Sequence, residues 1–301
     1  EHPDLIVFIG DNVTGGRNRE RLKEFCDFVD SYGIYWCPIL GNHEGDNPLS
    51  EKRRDMVKKM SGAKFCLLEA DDKTLPDGRK VGRNGNYAIH LCNKDSKIFE
   101  TLFFIDTGSD MTPKEVKEHG LDSSRSYDAY ILPTQIEWYR GMVEKQGKGV
   151  RSVVFGHIPL PEFKLGYELA TDNDREYSHE NGWISGYRRE NVCCSPVNTG
   201  MFSAMLESDS TYAYFAGHDH INDFIVTYKG IMLGYNLPGN YSSYNIISKK
   251  EKPIFGGIDY PIQGYNIYTF SEDRKVSVKP VMYHNAFPEL RDEVMSIIRK
   301  K

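Results

Sequence analysis

Four short apolar runs in this chain each end in a glycine that is followed at once by polar residues. A short apolar run bounded by turn residues predicts a buried strand, and the glycine permits a sharp exit at its carboxyl end. In open α/β sheets, ligands bind at that edge. We therefore expect carboxylate, carboxamide and imidazole groups to meet at one rim. The four endings are Gly10-Asp11, Gly41-Asn42-His43-Glu44, Gly156-His157 and Gly217-His218-Asp219-His220.

The composition is typical of a globular protein and excludes several classes. The 301 residues are 39% hydrophobic and 27% charged, and no apolar run approaches the length of about 20 residues that crosses a bilayer. A formal charge of −5 disfavours a nucleic acid polymer as partner. Six cysteines are too few for a disulfide scaffold at this length and lack the spacing of a structural zinc site. We expect one domain over residues 1–301.

Between the motifs, helical and strand patterns alternate and favour an α/β or α+β class. Residues 107–131 are polar and loop-like. The long stretch 163–194 is predicted to be a substrate-facing loop, because it follows a candidate ligand and carries aromatic residues such as Tyr177, His179 and Trp183. Helices are predicted over 19–32, 48–60, 132–147, 201–207 and 287–299, and strands over 64–68, 87–92 and 102–106, with hairpins over 224–235 and 265–281. Basic residues within 52–59 are expected to form a solvated helix face.

The four motifs, in this order, resemble those of the calcineurin-like metallophosphoesterases. The stretches Ile158-Pro159-Leu160-Pro161-Glu162-Phe163 and Val192-Cys193-Cys194-Ser195-Pro196-Val197-Asn198-Thr199-Gly200 resemble the single-domain purple-acid-phosphatase-like branch of plants, fungi and protists. The resemblance covers nearly the whole chain. It implies a four-layer αββα sandwich, in which two mixed β-sheets pack face to face with helices outside.

The resemblance also implies a centre of two metal ions. Asp11 would bridge the two ions, and Asn42, His157 and His218 would complete one site. His220 would join Asp11 at the other site. Imidazole nitrogens combined with carboxylate and carboxamide oxygens suit manganese, zinc or iron.

Two further residues of the second motif would act without binding metal. In the family, the histidine that matches His43 protonates the leaving-group oxygen or stabilises charge on the phosphate. Glu44 would orient that imidazole or would be a solvated loop carboxylate. Asp219, between two candidate ligands, is expected to support its loop.

The sequence departs from the family pattern in two places. Thr14 stands where purple acid phosphatases place the tyrosine that gives the iron centre its colour. The Asp-x-His motif that precedes Gly10-Asp11 in the family is absent, so the second metal site is incomplete in these residues. Because the chain starts at Glu1 directly before a strand, we expect an N-terminal segment carrying that motif to lie outside this sequence.

The combined pattern predicts hydrolysis of phosphomonoesters by direct attack of a metal-bound hydroxide. No Ser or Cys nucleophile motif points to a covalent intermediate. One alternative is a phosphodiesterase that acts on nucleotide or lipid head groups, because the same metal core serves both reactions. The other alternative is a degenerate module that binds metal or phosphate without turnover. The sequence leaves the substrate, the compartment and the oligomeric state open.

Overall fold

The computed structural model describes residues 2–15, 17–46, 51–171, 184–241, 243–247 and 260–299. Its strands are β1 (Leu5–Ile9), β2 (Tyr35–Ile39), β3 (Tyr87–Cys92), β4 (Ile98–Ile105), β5 (Arg151–Gly156), β6 (Ile184–Ser185), β7 (Thr211–Ala216), β8 (Ile225–Tyr228), β9 (Ile231–Tyr235), β10 (Gly264–Ser271) and β11 (Arg274–Met282). Its helices are α1 (Asn18–Asp30), α2 (Arg53–Ser61), α3 (Pro113–Glu118), α4 (Pro133–Gln146), α5 (Glu162–Thr171), α6 (Met201–Ser208), α7 (Tyr283–Ala286) and α8 (Arg291–Arg299).

A mixed sheet of seven described strands forms the centre of the molecule, in the order β3-β4-β5-β7-β9-β8-β6. Strands β4, β5, β7 and β9 run parallel, so their carboxyl ends share one edge. The hairpin of β8 and β9 and the hairpin of β10 and β11 are antiparallel and confirm both predicted hairpins. Strands β1 and β2 form a separate parallel pair.

Neighbouring residues of β4 point into two different cores, because side chains alternate along a strand. Phe103 packs in a core with residues of α4, α5 and α6, whereas Phe104 lies in the other core with residues of β1, β2 and β10. On that second side, Phe25 of α1 makes edge contacts with Phe8 and Trp36, which anchor the helix on β1 and β2. The order of layers is therefore helices, central sheet, the β1–β2 and β10–β11 pairs, and helices. This confirms the expected αββα sandwich.

The predicted strand over 64–68 is wrong. This segment contributes one isolated bridge, between Trp36 and Cys66. The carboxylate of Asp30 accepts hydrogen bonds from the backbone N–H groups of Lys64 (2.7 Å) and Phe65 (3.1 Å). These donors are used by a side chain, so a sheet ladder does not form here.

Helix α3 interrupts the predicted loop over 107–131. Thr112 and Glu115 form a reciprocal capping box, in which Glu115 Oε2 accepts from Thr112 N at 2.7 Å and Thr112 Oγ1 accepts from Glu115 N at 3.3 Å. A threonine followed by proline and, at the third position, glutamate is a helix start signal. Local chemistry therefore determines this short helix despite its polar surroundings.

The predicted loop over 163–194 begins instead with helix α5. Phe163, Tyr167 and Ala170 recur at helical spacing and are fully buried. Tyr177, His179 and Trp183 lie outside the described residues, as does Pro48 at the start of the second predicted helix. In the part of the chain that is described, no helix is long and apolar enough to cross a membrane.

Candidate metal centre

Asp11 and Asn42 follow the carboxyl ends of the neighbouring parallel strands β1 and β2. Gly10 and Gly41 allow the two loops that carry them to approach each other closely. Gly10 has φ +85°, and a Cβ added to it would lie 2.2 Å from Nδ1 of His157. A Cβ added to Gly41 would lie 2.2 Å from Oδ1 of Asp11. Both positions therefore require glycine, since any side chain would push the polar groups apart.

Three donor atoms from different strands converge at this rim. Oδ1 of Asn42 lies 3.0 Å from Nε2 of His157 and 3.1 Å from Nδ1 of His218. The two imidazole nitrogens are 3.4 Å apart. Oδ2 of Asp11 lies 3.3 Å from Nε2 of His157. The structure thus brings together four of the five predicted metal ligands.

In both His157 and His218, the ring nitrogen that faces away from Asn42 contacts another oxygen atom. Nδ1 of His157 donates to the carbonyl oxygen of Ile9 at 2.7 Å. Nε2 of His218 lies 3.4 Å from Oδ1 of Asp128. A hydrogen on these outer nitrogens leaves the inner nitrogens with their lone pairs directed toward the oxygen of Asn42. Outer partners of this kind orient metal-binding histidines.

These atoms fit a single metal ion. Donor atoms that share an ion at about 2.0–2.1 Å lie about 2.9–3.4 Å apart in octahedral or tetrahedral geometry, which matches the spacing observed here. Among the described residues, no three His, Cys, Asp or Glu side chains converge closely enough to hold a metal by themselves. The carboxamide oxygen of Asn42 lies between the two imidazoles and is the third candidate donor.

The electrostatics of Asp11 and His157 reflect their proximity. Burial raises the pKa of Asp11, but the charge and hydrogen bond of His157 and the backbone N–H of His43 lower it by more, to well below the usual range. Burial lowers the pKa of His157, yet the charge and hydrogen bond of Asp11 bring it above its ordinary value. In the absence of a metal, this pairing favours a proton on Nε2 of His157, which a metal bound there would have to displace.

His43 lies at the open side of the cluster, and its side chain is 48% exposed. Its Nδ1 pairs with the carboxylate of Asp46, while Nε2 lies 3.3 Å from Nδ2 of Asn42. Burial lowers the pKa of His43, but the hydrogen bond of Asp46 and the charges of Asp11 and Asp46 raise it above the ordinary value. The imidazole can therefore carry a proton near neutral pH.

Glu44 connects two loops. Its Oε1 accepts hydrogen bonds from N (2.7 Å) and Nδ2 (3.0 Å) of Asn12, and its Oε2 accepts from N of Gly41 at 2.8 Å. Burial and the charge of Asp11 raise the pKa of Glu44 to about 7. The expectation that Glu44 orients the His43 imidazole is wrong, because the carboxylate that contacts this ring is that of Asp46. Glu44 instead connects the loop of Asn12 with the backbone of Gly41.

Among the described residues, the His220 imidazole forms no hydrogen bond with the three converging donors, although the charges of Asp11, His218 and His157 act on it. The backbone N–H of His220 donates to Oε1 of Glu190 at 2.9 Å, and its imidazole stacks on the ring of Tyr244. Burial lowers the pKa of His220, which favours the neutral form that binds metals. Thr14, at the position of the family tyrosine, is exposed and provides no phenol.

Asp219 supports the loop between the two histidines, as expected. Its carboxylate accepts from Nδ2 of Asn222 at 3.1 Å and from the backbone N–H of Cys193 at 3.3 Å. Burial raises the pKa of Asp219 to about 6, although the charge of His218 acts in the opposite direction.

Arg53 and Asp106 form a buried support that the sequence did not reveal. Nη2 of Arg53 lies 2.6 Å from Oδ1 of Asp106, and Nη1 donates to the carbonyl oxygen of Gly41. The Arg53 side chain is only 21% exposed, so this residue departs from the expected solvated face. Because Gly41 precedes Asn42, the pair fixes the backbone of a candidate ligand.

Comparisons with known proteins identify the family of this chain. The model of the calcineurin-like phosphoesterase family matches residues 1–222. Two Arabidopsis thaliana proteins named probable inactive purple acid phosphatase 14 and 28 are 29% and 28% identical over 267 residues. These alignments cover 81% of this chain, and the chain spans 60% of the length of both relatives.

A yeast relative and a solved structure extend the comparison. Phosphatase DCR2 of Saccharomyces cerevisiae is 26% identical over 237 residues, covering 74% of this chain and 37% of that protein. The crystal structure of a dimetal phosphatase from Danio rerio superposes with a TM-score of 0.52 at 15% identity, covering 92% of this chain and 80% of its own. With the four motifs and the αββα layers in place, the chain belongs to the calcineurin-like phosphoesterase family.

Proposed function

We propose that this chain catalyses the metal-dependent hydrolysis of phosphomonoesters. The observation that carries the proposal is the convergence of Oδ1 of Asn42, Nε2 of His157 and Nδ1 of His218 within 3.4 Å of one another. Three such atoms without a shared hydrogen repel each other unless a cation or a proton lies between them. The outer hydrogen bond of His157 and the contact between His218 and Asp128 favour this inward orientation.

These contacts and the resemblance to the family support the proposed metal ligands. Asn42, His157, His218 and Asp11 would hold one ion, and Asp11 with His220 would contribute to a second. When bound, manganese, zinc or iron polarises a phosphoryl oxygen and lowers the pKa of water. Asp11 is suited to the shared position, because its carboxylate stays ionised beside His157.

His43 is the proposed general acid. Asp46 holds its Nδ1–H, and Nε2, which lies 3.3 Å from Nδ2 of Asn42, would give a proton to the departing alkoxide or phenoxide. The raised pKa of His43 keeps this proton available near neutral pH. Glu44 acts at a distance from the reaction, by joining the loops that carry Asn12 and Gly41.

A binding module without turnover is the second candidate, and the position of His220 favours it. Its imidazole faces Tyr244 and is not one of the converging donors among the described residues. A protein with one well-formed site could bind a metal and a phosphate group without activating an attacking water.

Turnover assays on aryl phosphate monoesters and diesters, with added zinc, manganese or iron between pH 5 and 8, test the proposal. We expect monoester hydrolysis that is lost together with metal in His157→Ala. His90→Ala is the matched control, because His90 is exposed on β3 and contacts only Thr101 among its described hydrogen-bond partners. Hydrolysis of diesters alone contradicts the proposal, and a full metal site without turnover supports the binding module.

A further inference from the structure

Arg83 carries a partly buried guanidinium that lacks a carboxylate partner. Its Nη2 donates to the carbonyl oxygen of Tyr130 at 3.2 Å, and its Nε is fully buried without a hydrogen-bond partner among the described residues. No described carboxylate forms an ion pair with it. Because buried charges in proteins are ordinarily paired, a guanidinium in this state is suited to bind an anion from solution.

The charges of two carboxylates act on Arg83, but both side chains contact other groups. Oδ1 of Asp106 lies 2.6 Å from Nη2 of Arg53. Oε2 of Glu115 accepts hydrogen bonds from N (2.7 Å) and Oγ1 (2.8 Å) of Thr112. Burial lowers the pKa of Arg83, and the charge of Arg53 acts in the same direction, whereas the charge of Asp106 raises it. Asp106 therefore faces two guanidinium groups and pairs with only one of them.

This guanidinium lies at the carboxyl edge of the central sheet, on a segment that also contacts the candidate metal centre. A Cβ added to Gly108 would lie 2.3 Å from Nη1 of the guanidinium and 2.9 Å from Cβ of Ala129, so the group packs on the main chain just beyond β4. Ala129 follows Asp128, whose Oδ1 lies 3.4 Å from Nε2 of His218. Neighbouring Cα atoms are about 3.8 Å apart. The organic group of an ester bound at His218 is therefore within reach of this guanidinium.

We propose that Arg83 binds a second anionic group of the phosphomonoester, a carboxylate or a phosphate, and so selects substrates that carry one. This inference rests on the proposed function, because it names the substrate class of the same site. A planar guanidinium matches the oxygens of both anions. Charge-assisted hydrogen bonds of this kind correspond to about 10- to 100-fold in affinity.

Steady-state kinetics on three related esters test this selection. Phenyl phosphate is compared with the esters that carry a carboxylate or a second phosphate at the para position. In the starting protein, KM should be about tenfold lower for at least one charged ester than for phenyl phosphate, and the lower of the two values identifies the preferred anion. Arg83→Met should abolish this difference and leave kcat, and KM for phenyl phosphate, within about twofold.

Arg140→Met is the matched control for the loss of a positive charge. Arg140 is 44% exposed on α4 and pairs with Glu207. This variant should keep the preference of the starting protein for charged esters. Loss of the preference in both variants would show an effect of net charge rather than a contact of Arg83.

Urea unfolding of metal-free protein, with orthophosphate as the probe, separates anion binding from a structural role. Without phosphate, Arg83→Met should be at least as stable as the starting protein, because an unpaired buried guanidinium costs free energy. Phosphate should raise the unfolding midpoint of the starting protein and of Arg140→Met by more than that of Arg83→Met, since a ligand of the folded state stabilises it.

The remaining outcomes decide against the inference or against the proposed function. Lower stability of Arg83→Met without phosphate would identify a structural arginine and overturn the inference. An equal rise in KM for all three esters, or no preference in the starting protein, would overturn it as well. If metal-loaded protein hydrolyses none of the esters while stabilisation by phosphate still depends on Arg83, the proposed function fails and the anion site stands. If that dependence is absent too, both fail.

Discussion

The two edges of the central sheet both bury ionisable side chains, but they neutralise them differently. At the amino edge, Glu100 of β4 is fully buried and lies 3.2 Å from the guanidinium of Arg151 on the neighbouring strand β5. At the carboxyl edge, the inner atoms of Asn42, His157 and His218 face one another. One edge carries its own cation, and at the other edge we propose that a metal ion binds.

The comparison shows how the same strands can serve stability at one end and chemistry at the other. At the amino edge the chain itself supplies a permanent cation, Arg151, yet burial still raises the pKa of Glu100 to about 7. At the carboxyl edge, a proton on His157 and the backbone N–H of His43 stabilise the ionised form of Asp11 in the absence of metal. A proton is exchangeable, and a metal ion can replace it.

The largest expected effect comes from filling the space between the loops at the carboxyl edge. In Gly41→Ala, the new Cβ would lie 2.2 Å from Oδ1 and 2.5 Å from the backbone nitrogen of Asp11, so the two loops must separate. We expect turnover to fall by about 10² or more, since misplacing groups by an ångström has effects of that size. Metal content by atomic spectroscopy should fall with it.

Gly45→Ala is the matched control for that variant. A Cβ at Gly45 meets no atom within 4 Å, although the residue is only four positions away. It should keep the metal and the activity of the starting protein. Equal losses in the two variants would show that the spacing between Asp11 and Gly41 is not what limits the site.

Removing the proposed acid should separate chemistry from metal binding at the same edge. His43→Ala should lower turnover by about 10², the range expected for the loss of a general acid. Its metal content should stay near that of the starting protein, because His43 faces Asp46 and the amide of Asn42 rather than the converging donors. Loss of metal would instead identify His43 as a ligand.

The sequence predicted which side chains meet at the carboxyl edge, because the residues that indicate each of them are adjacent in the chain. Each candidate ligand follows its own strand within a few residues, and the preceding glycine marks the exit. Asp128, Asp46, Glu190 and Tyr244 gave no comparable signal, since their partners are remote in sequence or depend on loop geometry. Helix α5 could have been predicted from the sequence, because Phe163, Tyr167 and Ala170 have helical spacing. The aromatic and polar residues around it obscured that pattern.

The exchangeable proton predicts a pH dependence for metal binding. The pKa of His157 lies above its ordinary value, so a metal must displace this proton at and below neutral pH. We expect zinc affinity to fall by about tenfold for each unit of pH below the pKa of His157. Calorimetry in buffers of different ionisation enthalpy should detect about one proton released for each zinc bound at pH 6. No proton release at pH 6 would contradict the pairing of His157 with Asp11.

The smallest effect is expected at the amino edge, and it concerns stability alone. Burial raises the pKa of Glu100 to about 7, even though Arg151 acts in the opposite direction. Below the unfolded value of 4.5 the carboxyl is protonated in both states, and between that value and about 7 only the folded state keeps the proton. The free energy of unfolding therefore falls as pH rises through this interval and levels off above it.

Glu100→Gln removes this titration while it preserves the shape of the side chain. Relative to the starting protein, its free energy of unfolding should improve by roughly 1–2 kcal/mol between pH 5 and pH 8, after allowance for solvent screening. Urea unfolding at the two pH values measures the change, and loss of the Arg151 partner affects both values alike. Glu118→Gln is the control, because Glu118 is 57% exposed on α3. If the difference between Glu100→Gln and the starting protein is the same at both pH values, the carboxyl of Glu100 is ionised throughout, and the amino edge is as fully charge-compensated as its geometry with Arg151 suggests.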